Sequence, residues 1–481
     1  MQDTDLILVK PGGRLNLFGA LAPALSGFAP PLDIGLLASF LREKGFRVKI
    51  IDADAEFLAP QEVAARIVEY NPLLVGIFTH TIRMAHTNKT IKELRKKAPQ
   101  IKILLGGRHP SSLPEKTLLE EGPDFVCQGE AFYPLLELLG LLKSKKESSD
   151  YKIMGLWYRK NGSIISSLPA PLINDLDTLP FIAWDLLPLD KYRAHNWHCF
   201  DKPKERQPYA IIYSSIGCPY KCTYCCVNAA YGGSGIRFRS PQKVAEEIDY
   251  LVKGYGIRNI RIVDDIFTLK PKRVIELCDL IIKRNYNLNI WCYARVDTVN
   301  EEMLKKMRQA GIRWICFGIE AGHERVREGV FKRLDLKKIK EGISLTQKAG
   351  IYIIANFVFG LPDDDLETMQ ATLDMAKEFN FEYVNFYVAM AWPGSKLYED
   401  ALRQGMRLPE DWSGYAQLSE DTLPLPTKYI SASEVLRFRD KAFVEYFSNP
   451  RYLEMMEGKF GSEVAGDIKN MLKYKINRKF A

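Results

Sequence analysis

The sequence of 481 residues has no uncharged apolar run near the ~20 residues that a bilayer span requires. No basic stretch precedes the first apolar segment, since the chain opens Met1-Gln-Asp-Thr-Asp5. A signal peptide is therefore not expected, and the protein is expected to be cytoplasmic. Neither a Gly-x-Gly-x-x-Gly run nor a Walker loop occurs, which removes the usual marks of dinucleotide or nucleoside triphosphate binding. No repeat of solenoid length is visible. Charge of one sign is not concentrated either. Lys plus Arg number 67 and Asp plus Glu 59, a net +8 spread along the chain and densest over residues 92–97 and the last ten. A solvated basic surface accounts for this balance, so nucleic acid is not expected as a partner.

What is present reads as a soluble, multidomain protein. Apolar residues make up 47% and charged residues 26%, and the length calls for two or three domains. Nine cysteines in a reducing compartment do not read as a disulfide framework. Cys127, Cys278, Cys292 and Cys316 lie in apolar strand or helix patterns and read as inert core thiols. Cys199 stands alone in an aromatic stretch and reads as packing. The crowded group from Cys218 to Cys226 is the exception.

Short apolar runs at 5–9, 47–51, 73–78, 101–105 and 124–127 read as strands, with helical patterns near 36–43, 60–69, 88–97 and 115–121. Together they predict a doubly wound parallel sheet over residues 1–145, with its ligand beyond the carboxyl ends of the strands. Residues 146–207 read as a hairpin about Lys160-Asn-Gly162 leading into an ordered Pro-rich, aromatic linker. From 208 to 395 a second series appears, with strands at 209–214, 259–263, 290–295, 312–319, 351–359 and 383–389. Six such units predict a partial (β/α)6 barrel. The remainder, 396–481, reads as helical, most clearly at 434–447 and 461–473. The expected fold class is α/β: a flavodoxin-like domain, a partial barrel and a helical C-terminal region.

Ile216-Gly-Cys218-Pro-Tyr-Lys-Cys222-Thr-Tyr-Cys225 follows the first strand of the second series. Three thiolates spaced in this way can converge on one cubane, because iron–sulfur sites take soft sulfur ligands. The fourth iron then stays open for a substrate or cosubstrate. The competing reading is a zinc knuckle. Structural zinc wants a fourth ligand at regular spacing, and Cys226, adjacent to Cys225, would have difficulty turning toward the same metal.

The segment Cys218-Pro-Tyr-Lys-Cys222-Thr-Tyr224-Cys225 resembles the signature loop of the radical S-adenosylmethionine (SAM) superfamily. The resemblance implies a [4Fe–4S] cluster whose open iron chelates SAM, cleavage of SAM to a 5′-deoxyadenosyl radical, and Tyr224 against the adenine. Asp264 and Asp265 stand where the family places groups near the methionyl amine, although the commoner Gly-Gly-Glu is absent. Instead, Arg261-Ile-Val-Asp-Asp-Ile-Phe-Thr268 looks like the version found in cobalamin-binding members. By the same resemblance, Arg295 of Tyr293-Ala-Arg295 and Glu320 of Gly318-Ile-Glu320-Ala-Gly322 make ribose and carboxylate contacts, and Gly360 lies beside the adenine. Taken singly, each has an ordinary reading: a helix cap at Asp264-Asp265, an Arg295–Glu320 structural ion pair, a turn at Gly360-Leu-Pro362. Their order after the cysteine loop is what carries weight.

A flavodoxin-like domain ahead of such a barrel resembles the cobalamin-binding class of these enzymes, over roughly residues 1–390. Phe28-Ala-Pro-Pro-Leu-Asp-Ile-Gly35, Ile51-Asp-Ala-Asp54, Leu105-Gly-Gly-Arg-His-Pro110 and Cys127-Gln-Gly-Glu130 carry that resemblance. It implies that Gly35, Gly106, Gly107, Gly129 and Glu130 adjoin the corrin and its nucleotide tail. Thr79, His80 and His109 are candidate ligands to the cobalt, against the ordinary readings of His80 as a polar surface residue and His109 as part of a turn. The Asp-x-His-x-x-Gly run that supplies a cobalt-binding histidine in cobalamin mutases is missing, which argues against mutase chemistry. The alternative is a vestigial sheet, or one that binds another nucleotide.

The expected activity is radical methylation of an unactivated carbon, with methylcobalamin as methyl donor. Tyr192 and His195 of the linker are candidate catalytic residues lining the cavity, while Trp197 reads as packing. An external electron donor such as flavodoxin or ferredoxin is expected, under anaerobic conditions, and a peptide, protein or small molecule as substrate. The alternatives are cobalamin-dependent cyclisation or rearrangement, methylthiolation, and a cobalamin carrier without catalysis. Methylthiolation usually requires extra N-terminal cysteines, where only Cys127 occurs.

Overall fold

A computed structural model describes residues 4–14, 27–144 and 150–481. Residues Met1 to Asp3, part of the basis for expecting no signal peptide, and the domain boundary drawn at 145 lie outside the described residues. The first sheet contains β1 (Leu6–Lys10), β2 (Val48–Asp52), β3 (Leu74–Phe78), β4 (Lys102–Gly106) and β5 (Phe125–Cys127). These strands are parallel in the order 2-1-3-4-5, which puts a topological switch between β1 and β3. Their side chains alternate between two cores. Leu6 and Leu8 point to one and Ile7 and Val9 to the other, so β1 is apolar throughout. The helix Pro60–Tyr70 covers the second core with Val63, Ala64 and Ile67. Val63 and Ile67, both fully buried, each contribute about 1.5–3 kcal/mol.

The hairpin expected at the head of the linker belongs instead to this sheet. β6 (Leu156–Lys160) pairs antiparallel with β5, and β7 (Ser163–Ser166) with β6. The linker beyond it is ordered and deeply packed: Trp184, Tyr192 and Ala194 have no exposed surface.

The second sheet is parallel, in the order β8 (Tyr209–Ile212), β11 (Asn259–Ile262), β12 (Asn289–Ala294), β13 (Ile312–Glu320), β14 (Tyr352–Phe359) and β15 (Tyr383–Val388). It forms the expected open six-stranded barrel. A short antiparallel ribbon, β9 (Ser215–Cys218) with β10 (Gly235–Phe238), was not anticipated. It lies between β8 and the helix Pro241–Tyr255, where Ser240 caps the N-terminus and Gly256 ends the helix at φ 65°.

Trp197, Trp291, Trp314 and Tyr383 gather at the amino ends of the strands and close the barrel floor. The C-terminal helices Ala432–Phe447 and Pro450–Phe460 cover the edge at β15. Tyr446 donates to the Phe381 carbonyl at 2.7 Å and Tyr452 to that of Glu382 at 3.1 Å. No described helix is long and apolar enough to cross a membrane.

Candidate active site

The cysteine loop is held from below by one carboxylate. Asp264, just beyond β11, accepts from the Ser214 backbone N–H at 2.6 Å and from the Ser214 and Ser215 hydroxyls at 2.5 and 2.7 Å. Its oxygens are thus occupied in fixing the start of the ribbon that ends at Cys218, so its expected place beside the methionyl amine is corrected to a clamp. Gly217, at φ 93°, has no room for a side chain, because an added Cβ would lie 2.5 Å from the Gly235 carbonyl oxygen. Beyond Cys222, the Thr223 N–H donates to Val330 O at 3.1 Å and Thr223 O accepts from the Leu397 N–H at 2.9 Å.

Cys218 and Cys222 are half-buried and Cys225 is exposed. Burial raises the Cys218 thiol pKa, and the charges of Asp265 and Cys222 raise it further. Among the described residues no three His, Cys, Asp or Glu side chains converge as the shell of one ion. A cubane instead takes one thiolate on each of three irons, and a three-thiol loop open to a cleft fits that donor chemistry. Cys127, Cys199, Cys278, Cys292 and Cys316 are buried, as their sequence patterns predict.

Above the loop, Glu320 stands at φ 73° where the β13–β14 register shifts, a strained position of the kind found at functional sites. Lys332 donates to it at 2.7 Å. Gly318 makes room for this pair, since a Cβ there would lie 2.5 Å from the Glu320 carboxylate and 3.0 Å from the Lys332 amine. Burial raises the Tyr224 pKa well above its ordinary value, and the neighbouring Glu320 and Cys222 add to the shift. Arg295 pairs with Asp297 at 2.8 Å and lies 4.2 Å from the Tyr220 ring centre. The Arg295–Glu320 pair considered from sequence therefore does not form. Sequence reasoning missed Lys332, which lies twelve residues past Glu320 in an irregular segment with no motif to mark it.

The carboxyl edge of the first sheet faces this loop. Arg108 approaches Asp265 at 4.0 Å, and Arg237 of β10 donates to Glu130 at 2.5 Å and also to the Ile173 carbonyl. Gly129 looks across at the Ala230 carbonyl, 3.6 Å from where a Cβ would stand. Asp33, His80 and Cys225 keep exposed surface although protein encloses them, the signature of residues lining a cleft. Burial lowers the His80 pKa to about 3, with Arg108, Arg83 and Lys10 adding to it, so the ring is neutral near pH 7. Gly106 and Gly107 form a tight cradle at the end of β4. Gly107 is at φ 101°, and a Cβ there would lie 2.5 Å from the Thr79 carbonyl oxygen. This cleft, with its glycine-lined edge and a neutral histidine, fits a corrin.

Several expected contacts are spent elsewhere. Tyr192 is fully buried and donates to Asp52 at 2.8 Å, tying the linker to the first sheet rather than lining a cavity. His195 stacks on Trp197, 5.2 Å between ring centres, at the barrel floor, opposite the cysteine loop. Neither is placed to be catalytic. Gly35 lies against Ile182 of the linker, whose methyl would sit 2.4 Å from a Cβ. Thr79 is buried against the Thr87 hydroxyl at 3.0 Å. His109 is held by Thr81 at 3.2 Å and by Trp412, with ring centres 4.4 Å apart. Glu130 is committed to Arg237, and Gly360 is packed against Val435.

The barrel lumen holds residues that the sequence did not single out. The outward residues Ile260, Ile262, Ile290 and Cys292 are fully buried. By alternation, Arg261 and Tyr293 face inward, and both are half-buried. Asn356 and Asn385 join by a 2.9 Å amide hydrogen bond, with Tyr387 two residues further along β15.

Comparison with known proteins accords with this geometry. Residues 212–376 match the Radical SAM superfamily and residues 21–139 the B12 binding domain. An uncharacterized methyltransferase of Pyrococcus horikoshii is 30% identical over 455 residues, 94% of each chain. The anaerobic magnesium-protoporphyrin IX monomethyl ester cyclase of Rubrivivax gelatinosus is 27% identical, over 78% of this chain and 67% of its own. Among solved structures, the radical SAM methyltransferase TsrM from Kitasatospora setae, with tryptophan substrate and a SAM analogue bound, shares the fold. Its TM-score is 0.69 at 18% identity, covering 97% of this chain and 99% of that one.

Proposed function

The chain belongs to the cobalamin-binding radical SAM superfamily, and on that premise we propose that it is a C-methyltransferase acting on an unactivated carbon. The observation that carries this reading is one shared cleft. The cysteine loop and the carboxyl edge of the first sheet meet across Arg108–Asp265 and Arg237–Glu130. When bound, the cluster with SAM supplies a hydrogen-abstracting radical, and the corrinoid supplies a methyl group.

Cys218, Cys222 and Cys225 would hold the cluster. Tyr224, Arg295 and the Glu320–Lys332 pair would contact SAM, and Asp265 would face the first sheet through Arg108. Gly106, Gly107, Gly129 and His80 would bound the corrin. Their shared task is to orient two reactants and keep water out. The enzyme would act in the cytoplasm with a flavodoxin or ferredoxin as electron donor.

Anaerobic incubation of the reconstituted protein with trideuteromethyl SAM and candidate substrates, read by mass, tests the proposal. A product heavier by one labelled methyl group is expected. The similarity to the Rubrivivax gelatinosus cyclase favours a second reading, ring formation without methyl transfer. An altered product carrying no label would establish that reading and sink methylation.

A further inference from the structure

Arg261 is a cation without an acid. Its Nη2 donates to the Tyr293 hydroxyl at 3.0 Å, its Nε has no hydrogen-bond partner, and its Cζ lies 4.6 Å from the Trp291 ring and 5.2 Å from that of Tyr293. Among the described residues no carboxylate pairs with it. Its other polar neighbour is the Tyr209 side chain. A guanidinium never loses its charge in a protein, and enclosing it without an anion is costly. Among the other enclosed arginines, Arg239 is matched by Glu247 and Arg295 by Asp297, while Arg327 donates to the carbonyls of Leu334, Ala321 and Gly322. Arg261 stays half-buried on the lumen side, open to whatever enters.

We propose that Arg261 binds the carboxylate of the molecule that is methylated, so that the substrate is an elongated small-molecule carboxylate. This rests on the radical methyltransferase reading and deepens it. The planar guanidinium matches a carboxylate better than a point charge would, and Trp291 and Tyr293 hold it in plane. Arg261 lies within β11, which ends at Ile262, so its backbone sits deeper in the barrel than Asp265 at the cleft. A substrate anchored there by its carboxylate therefore presents a distant carbon to the cysteine loop. By alternation from Tyr383 at the floor, Asn385 and Tyr387 share the inward face of β15, and Asn385 joins Asn356 of β14.

The test is anaerobic calorimetric titration of protein loaded with cluster, cobalamin and SAM, using 4-phenylbutyrate, its neutral amide and inorganic phosphate. The acid should bind at least about tenfold more tightly than the amide, the scale of one charge-assisted pair. R261M should weaken acid binding by a similar factor, and R261K should fall between. Equal binding of acid and amide to the unaltered protein overturns the proposal without recourse to a variant. So does acid binding that R261M leaves intact. Phosphate binding as tightly as the acid would overturn the carboxylate assignment. SAM cleavage to 5′-deoxyadenosine, measured on the unaltered protein without these probes, reports on the radical reading separately. Intact cleavage with no preference for the acid is a failure of this proposal alone.

Discussion

Replacing Asp264 separates a clamp from a cofactor contact. The carboxylate is buried and accepts three hydrogen bonds of 2.5–2.7 Å, all from Ser214 and Ser215, at the root of the cysteine ribbon. Alanine would leave a backbone N–H and two hydroxyls without their acceptor. Hydrogen bonds to a charged group contribute about 1.5–3 kcal/mol each, and the hydroxyls can rotate to other partners. A loss of about 3–5 kcal/mol of unfolding free energy is therefore expected for Asp264→Ala. Asparagine retains one acceptor oxygen and offers its amide to hydroxyls that can also accept, so Asp264→Asn should lose about 1–2 kcal/mol. Urea unfolding of the apoprotein measures these differences. Iron and sulfide analysis after anaerobic reconstitution reads the consequence at Cys218, with Asp264→Ala holding less cluster than Asp264→Asn. If Asp264→Ala unfolds within about 1 kcal/mol of the unaltered protein and takes up full iron but no longer binds SAM, the clamp is wrong and the ligand contact is right.

Three further outcomes are expected. Gly107→Ala, at φ 101° with its Cβ 2.5 Å from a carbonyl oxygen, should cost at least about 1–3 kcal/mol. It should also lower cobalamin retention through gel filtration, followed by visible absorbance. Lys332→Met would strand the buried Glu320, destabilise by about 3–5 kcal/mol and weaken SAM binding, measured by equilibrium dialysis. Asp54 is buried, yet Arg83, Lys10 and Arg14 outweigh that burial and hold its carboxyl well below the ordinary range. Because the folded pKa is depressed, its stabilisation is complete above the ordinary value of 3.8 and is lost as pH falls through the folded value. The stability gap between the unaltered protein and Asp54→Asn should accordingly be constant from pH 5 to 7 and shrink below pH 4. A gap that widened in acid would refute this.

The fold was legible wherever apolar periodicity was long. All eleven strands expected in the two parallel sheets exist within a residue or two of their expected bounds, because parallel strands buried on both faces are continuous apolar runs. The ribbon of Ser215–Cys218 and Gly235–Phe238 was not legible, because two four-residue strands, each holding a glycine, are too short to show a period. Among candidate site residues, the three cysteines could be proposed from sequence because the chemistry proposed for them depends on spacing within one loop. Tyr192 and His195 misled because an aromatic linker looks the same whether it lines a cavity or plugs a floor. Asp264 and Glu130 misled because a carboxylate at a strand end does not announce its partner. Those partners, Ser214, Ser215 and Arg237, lie at least 49 residues away. Arg261 was quoted within a motif without being singled out. That no described carboxylate pairs with it appears only when the barrel is closed around it.

Electron paramagnetic resonance of the reduced, anaerobically reconstituted protein, recorded before and after SAM is added, tests the central claim most directly. The account predicts the signal of a reduced four-iron cluster that shifts when SAM occupies the open iron, and that is absent in Cys222→Ala. A protein that binds zinc in this loop, or a cluster signal that SAM leaves unchanged, would contradict it.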